Sequence, residues 1–411
     1  MPKINLRKYE TVLSTFGNIF EWYSFALFMP FLPVLSKQFF PMENAVFARL
    51  LTFFALSIGL FMRPFGAIIF GPIGDKFGRQ KAISFSILLM AIPTICIGLL
   101  PSYHDIGIAS PVILIFLRAL QGISLGGEYT AAMVHLVERA PANRRGFYGS
   151  WSDGGSQIGV LIGGQALVML YSFYGEHEIY SFAWRAPFLL AIVLLPFAFM
   201  VPNQNGQSKK KFKEPLLKTV LEHKKEAGCT IAITAFSAVG FYTLFTFLPY
   251  YLVSNNILTL KQATQCSVAS NMLIIVFILF FGYLSDKFKR KPFMIFGISG
   301  VSLVTLLMFV LQKNSFSYWF ALQFLYGFFM GAYYSSRAAF FAEAFPTKIR
   351  CTAVSLSLSL AQAIFGGLTP TVMSFCQEYS NFLAAVPILI VAAMAIYAIS
   401  LLEDRTGKDL V

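Results

Sequence analysis

Apolar stretches long enough to cross a bilayer alternate along the chain with short segments rich in charge, proline and glycine. A helical span needs about 20 predominantly apolar residues, and twelve stretches meet that need. They cover residues 11–34, 46–73, 82–100, 109–138, 145–172 and 184–202, and then 227–253, 262–285, 292–311, 316–343, 349–374 and 380–402. Several are longer than a straight span requires, so tilt or extension past the bilayer is expected. The polar interval 203–226 divides the twelve into two sets of six. This pattern predicts an all-α membrane protein of twelve transmembrane helices in two six-helix bundles, residues 1–202 and 227–411, joined by a solvated linker at 203–226. The first apolar stretch runs straight into a long helix with no small-residue cleavage site. It is therefore expected to be a retained span rather than a signal peptide.

Composition supports the pattern. The chain is 57% hydrophobic and 12% charged, with a mean hydropathy of +0.67, where a soluble protein is about a quarter charged. So few charges do not cover a water-exposed surface, and lipid is the natural solvent for the remainder. A net charge of +13 could point to nucleic acid, but the placement of the charges explains it otherwise. Of the 32 Lys and Arg, 24 lie in the two termini and in the loops that follow spans 2, 4, 6, 8 and 10. The opposite side holds Lys37, Arg49, Arg185, Lys261 and Lys313, while Arg63, Arg118 and Arg337 fall inside spans. This positive-inside asymmetry predicts both termini in the cytoplasm, as in a multi-pass protein of a bacterial inner membrane. The five Cys, at 96, 229, 266, 351 and 376, show no CxxC and no metal-ligand spacing, so no metal site is expected.

The two halves repeat each other. The segment 71–81, GPIGDKFGRQK, follows the second span, and GYLSDKFKRK at 282–291 follows the eighth, 211 residues on. Asp75 and Arg79 thereby correspond to Asp286 and Arg290, while Lys289 stands where the first copy has Gly78. Spans 4 and 10 repeat as well: Gly122, Gly126, Glu138, Pro141 and Arg145 recur as Gly327, Gly331, Glu343, Pro346 and Arg350, each 205 residues on. Several matches at fixed offsets mark a duplicated six-span unit, an organisation that secondary transporters use to set a substrate site between halves. On these residues the whole chain resembles the major facilitator superfamily. The resemblance implies that Gly71, Asp75, Gly78, Arg79, Asp286 and Arg290 form a cytoplasmic gate motif. In it Asp75 would sit at a helix N-terminus, where the dipole favours an anion.

Ionisable residues inside spans are costly and default to functional roles. Here they concentrate in the first half, as Glu21, Arg63, Arg118, Glu128, His135 and Asp153. Span 4 carries Arg118, Gly122 and Gly126 in an RxxxGxxxG spacing. The glycines admit a neighbouring helix, and the Arg supplies a positive field. The spacing resembles the superfamily's span-4 motif, which implies proton coupling. Gln121, Glu128 and His135 are seven apart, hence on one face of a continuous helix. Burial disfavours the charged form of a carboxylate, which suits a proton carrier. Glu128 and Glu21 are the leading candidates for it, beside Arg118 and Asp153, the latter also a candidate gate partner.

Three stretches narrow the family. GNIFEWYSF at 17–25, GGEYT at 126–130 and WRAPF at 184–188 resemble the metabolite:proton symporters, and GFYGSW at 146–151 followed by Asp153 resembles the proline/betaine group among them. Ser24 departs from the family pattern, which has an acidic residue there. A chain ending at Val411 is also expected to lack the C-terminal coiled-coil of some osmosensing relatives. The resemblance implies a proton-coupled symporter without cofactor, working as a monomer. Its substrate candidates are Asn18, Trp22, Tyr23, Gln121, Tyr129, Trp151, Gln157, Tyr242, Tyr333 and Arg337. A zwitterion such as proline or betaine would use aromatic faces; a carboxylate such as 2-oxoglutarate, citrate or shikimate would use Arg118 and Arg337. Export of drugs by proton antiport is disfavoured, since residues 145–172 contain no Pro to form the Gly-Pro pair of such antiporters. No Walker sequence or HExxH is present, which argues against an ATP-driven pump or a metalloenzyme.

Overall fold

The computed structural model describes residues 18–41, 45–77, 79–126, 128–196, 222–311, 313, 315–347, 349–408 and 410, the side chains at 45–50, 71–84, 128, 131, 132 and 194 lying outside that description. Every regular element among the described residues is helical. The first, α1, covers residues 18–39 with a turn at 27–31, where Pro30 has no N–H to continue the ladder. Then come α2 (Ala45–Phe61 and Arg63–Phe77), α3 (Arg79–Leu99), α4 (Ala109–Leu125 and Glu128–Arg139), α5 (Arg145–Phe173) and α6 (176–196). The second set is α7 (Lys224–Ser254), α8 (Leu260–Phe288), α9 (Lys291–Val310), α10 (Phe316–Ala344), α11 (Arg350–Tyr379) and α12 (Asn381–Leu401). Seven of the described helices are long and apolar enough to cross a membrane, and the apolar parts of α3 and α4 are shorter. With large apolar side chains turned outward, among them Phe65, Phe173 and Tyr397, this is a multi-pass membrane protein whose solvent is lipid.

Helices α1 to α6 share one apolar core, joined by Phe241 and Tyr242 of α7. Helices α7 to α12 share another, joined by Tyr129, Met133 and Val137 of α4. The halves meet chiefly where α5 packs along α8 and α10. The expected linker at 203–226 lies almost wholly outside the described residues, and α7 already begins at Lys224. Helix α1 continues to Phe39, beyond the expected end at 34, and α6 begins at 176 rather than 184.

The repeat of sequence is also a repeat of contacts. A Cβ on Gly122 would lie 1.9 Å from the Gly59 carbonyl oxygen, and one on Gly126 would lie 2.6 Å from the Ala67 amide nitrogen. Their counterparts Gly327 and Gly331 meet the Ser270 carbonyl oxygen at 2.7 Å and the Ile278 amide nitrogen at 3.2 Å. Ser270 and Ile278 are in turn 211 residues on from Gly59 and Ala67. The crossing of α4 over α2 is thus rebuilt as α10 over α8, and so close an approach requires glycine.

Helix α4 is described in two parts. It ends at Leu125 and resumes at Glu128. Gly126 donates its N–H to Ile123, a three-residue return, and its carbonyl accepts from Ser355 Oγ of the other half at 2.9 Å. The expected shared face of Gln121, Glu128 and His135 runs through Gly127 and the Glu128 side chain, which lie outside the described residues. The regular helix ends at Leu125, where the Ser355 hydroxyl satisfies the Gly126 carbonyl.

Candidate functional site between the halves

Helices α1, α2 and α5 on one side and α7 and α8 on the other enclose a cavity of about 320 Å³. Met29, Phe53, Val160, Tyr250, Thr264 and Asn271 lie on its wall, which is mainly apolar. These positions occupy the parts of their helices farthest from the Lys/Arg-rich loops, so the cavity faces the end of the molecule opposite the basic end. Below it, Asn271 Nδ2 donates to the Gln157 carbonyl at 3.0 Å and ties α8 to α5.

One turn deeper along α5, about 6 Å at 1.5 Å per residue, lies Asp153. Its Oδ1 accepts from Tyr129 Oη at 2.6 Å and from Arg337 Nη2 on α10. Arg337 Nη2 also donates to Tyr129 Oη at 2.6 Å, and Nη1 donates to Ser237 Oγ on α7 at 3.0 Å. All four residues are buried. The first half supplies the negative pole and the second half the positive one. Asp153 Oδ2 and Arg337 Nε have no hydrogen-bond partner among the described residues. The Trp22 ring meets Tyr129 edge-on at 6.1 Å and Phe241 at 5.8 Å, and Tyr334 lies 4.9 Å from the Arg337 guanidinium.

Two more arginines stand in the first half. Arg63 lies 5.9 Å from the Trp22 ring centroid, in the neighbourhood of Tyr242, Glu21 and Tyr129. Arg118 is fully buried between Phe25 and Phe28, at 4.7 and 4.3 Å. It donates to Gln121 Oε1 at 2.7 Å, and Gln121 donates on to Thr94 Oγ1 at 2.7 Å. No carboxylate among the described residues pairs with it; aromatic faces and an amide hold it in place.

The basic end is sealed by contacts between the halves. Asp286 at the end of α8 accepts from the Gly146 and Phe147 amides at 2.7 and 2.8 Å, an anion on the N-terminus of α5. Arg350 Nη1 reaches Glu138 at 2.7 Å, and Arg145 Nη1 lies 3.8 Å from Glu343. These two contacts exchange the same repeat positions, since Glu138 and Arg145 recur as Glu343 and Arg350. Arg290 binds Glu343 with two nitrogens, at 2.7 and 2.8 Å. The C-terminal tail adds a strap: Arg145 Nη1 donates to the Lys408 carbonyl at 2.5 Å, and Asp404 accepts from the Arg290 and Lys291 amides. Burial works to raise the Asp404 carboxyl, but hydrogen bonds from Thr406 and from those amides hold it below the ordinary aspartate value.

The structure thus brings together Trp22, Tyr129, Asp153 and Arg337 from the expected set, with Gln157 above them. Others make contacts elsewhere in the bundle. Tyr23 Oη donates to the Pro187 carbonyl and pins α1 to α6, while Asn18 Nδ2 bonds Ser152 and Ser156 on α5. Tyr333 Oη donates to the Ile233 carbonyl within the second half. Trp151 is half-buried with its edge against Phe147, outside the site, because its position on α5 turns it away from Asp153. Tyr242 lies in the neighbourhood of Arg63 and Arg118, with its ring against Gly366. Asp153 joins the central cluster rather than the gate. The side chains of Gly71, Asp75, Gly78, Arg79 and Glu128 lie outside the described residues. Ser237 was not among the expected site residues, and Arg63 stood out only as a charge inside a span. The repeat offsets carried the signal for Glu138, Arg145, Glu343 and Arg350, and none marked Ser237.

The sequence matches the Major Facilitator Superfamily over residues 14–261 and again over 230–410. It is 31% identical to the proline/betaine transporter of Salmonella typhimurium, over 98% of this chain and 85% of that one. It is 29% identical to the glycine betaine/proline/ectoine/pipecolic acid transporter OusA of Dickeya dadantii, again over 98% and 85%. The fold superposes on the proton:xylose symporter XylE bound to 6-bromo-6-deoxy-D-glucose with a TM-score of 0.77 at 17% identity, covering 98% of this chain and 97% of XylE.

Proposed function

The chain belongs to the major facilitator superfamily, and we propose that it is a secondary active transporter importing a small zwitterionic osmolyte, such as proline or glycine betaine, together with a proton. The reading rests on one pairing: a cavity between the halves at one end, and cross-half ion pairs closing the other. An alternating-access carrier in one of its two end states has this form. The positive-inside bias puts the sealed, basic end in the cytoplasm and the cavity outside, in a bacterial inner membrane. Rocking of residues 1–202 against 227–411 about the 203–226 linker then breaks the sealing pairs and closes the cavity. The protein needs no cofactor, because the proton gradient supplies the work, and it acts as a monomer.

Zwitterions are the favoured cargo because the relatives are named for proline and betaine and because the centre presents both signs of charge. Glu21, buried beside Arg63, and Glu128 are the proposed proton carriers. An organic acid is the second reading, favoured by Arg118, whose buried charge faces no carboxylate among the described residues. Counterflow in proteoliposomes against proline, glycine betaine, 2-oxoglutarate, citrate and shikimate separates the two. Exchange of the zwitterions alone is expected, and exchange of the acids alone sinks the osmolyte reading. Glu21→Gln and Glu128→Gln are expected to keep counterflow while at least one of them loses uphill uptake. Accumulation by both variants as in the wild type would exclude these carboxylates as carriers.

A further inference from the structure

We infer that Asp153 and Arg337 are the two poles of the substrate seat, and that a bound zwitterion replaces their direct ion pair. Its carboxylate takes Arg337 and Ser237, and its cationic group takes Asp153 against the rings of Trp22 and Tyr129. This rests on the zwitterion reading above and gives it residues.

This cross-half ion pair lies away from the basic end, apart from the pairs that seal it. It lies a turn beneath Gln157, whose carbonyl is held by the cavity residue Asn271. Both poles have bonding capacity left over. Asp153 binds through Oδ1 alone, and Asp153 Oδ2, Arg337 Nε, Gln157 Oε1 and Trp22 Nε1 are buried without a hydrogen-bond partner among the described residues. A ligand that parts the two charges can therefore gain new hydrogen bonds at each.

The charge balance selects the class of ligand. Asp153 and Arg337 neutralise each other, so an anion drawn to Arg337 strands Asp153, and a cation drawn to Asp153 strands Arg337. Stranding a buried charge is strongly unfavourable. A zwitterion compensates both and leaves the net charge of the site unchanged. Because one pole comes from α5 and the other from α10, the same ligand also bridges the halves. The Trp22 and Tyr129 faces suit a quaternary or secondary ammonium, which has few or no N–H donors and is recognised by aromatic rings.

The test is calorimetric titration of the purified full chain with three probes: glycine betaine, its anionic carbon isostere 3,3-dimethylbutyrate, and choline, which keeps the cation and lacks the carboxylate. The wild type is expected to bind betaine at least about tenfold more tightly than either single-charge probe, the scale of one charged hydrogen bond. Asp153→Asn should weaken betaine and turn the preference to 3,3-dimethylbutyrate; Arg337→Gln should turn it to choline. The double variant Asp153→Asn with Arg337→Gln buries no stranded charge and serves where a single variant does not fold. It should lose the preference for betaine over both probes. Folded single variants that lose betaine without either reversal, or a double variant that keeps the preference, would overturn the seat while leaving zwitterion transport standing. A wild type that binds none of the three overturns the zwitterion reading and the seat together.

Discussion

Lys289 has φ of 74°, a region that suits glycine and costs other residues about 1–3 kcal/mol. It stands where the first repeat has Gly78, a residue type that adopts such a φ without strain. Lys289→Gly is expected to stabilise the protein by about 1 kcal/mol, read as a rise in detergent thermal unfolding; an unchanged or lower midpoint counts against strain at this turn. At the central pair the energetics run the other way. Removing one partner of a buried ion pair costs about 3–5 kcal/mol, while removing both is nearly neutral. Asp153→Asn and Arg337→Gln should each lower the unfolding midpoint, and the double variant should recover most of the loss. Additive losses would mean that the two charges are not coupled.

At the scale of elements, glycine placement decides how the helices cross. Gly122 and Gly126 have backbone of α2 within 2.1 Å of any added Cβ, whereas Gly228 near the start of α7 has nothing within 4 Å. Gly122→Ala should cost about 1–3 kcal/mol by overpacking, against little for Gly228→Ala, measured as surviving monodisperse protein after heating. Equal tolerance at the two sites would contradict the α2–α4 crossing. The crossing was legible in the sequence from the RxxxGxxxG spacing, and the repeat offsets foretold its copy at α8 and α10. The end of the regular helix at Leu125 was not legible, because helical periodicity assumes a continuous rod and Ser355, which bonds the Gly126 carbonyl, is 229 residues away. Site residues divide the same way. Asp153 and Arg337 stood out as charges inside spans. Tyr23, Tyr333 and Trp151 were candidates as polar aromatics, and the contact each makes is visible only in the packed structure. The tail strap makes a further prediction. A carboxyl held below its unfolded value contributes stability that is lost as pH falls through its folded value. The Asp404 contribution should therefore be present at neutral pH and fade below the ordinary aspartate value of about 3.9. Asp404→Asn should remove that pH dependence from the tail's protection against proteolysis, and an unaltered profile would exclude the strap.

For the whole molecule, the reciprocal pairs Glu138–Arg350 and Arg145–Glu343 form a two-fold-related latch. Neutralising Glu138 and Glu343 together should favour opening at the basic end. Spin labels at Gly175 and Asn255, on opposite halves at the far end, should then move closer, and an unchanged distance distribution would deny the latch. The central claim is that a proton gradient drives uptake through these two halves. Its most direct test is radiolabelled glycine betaine uptake into proteoliposomes with and without an imposed gradient, acidic outside. Accumulation above the external concentration is expected only with the gradient and only while it lasts. Equal uptake with and without it would contradict proton symport by this protein.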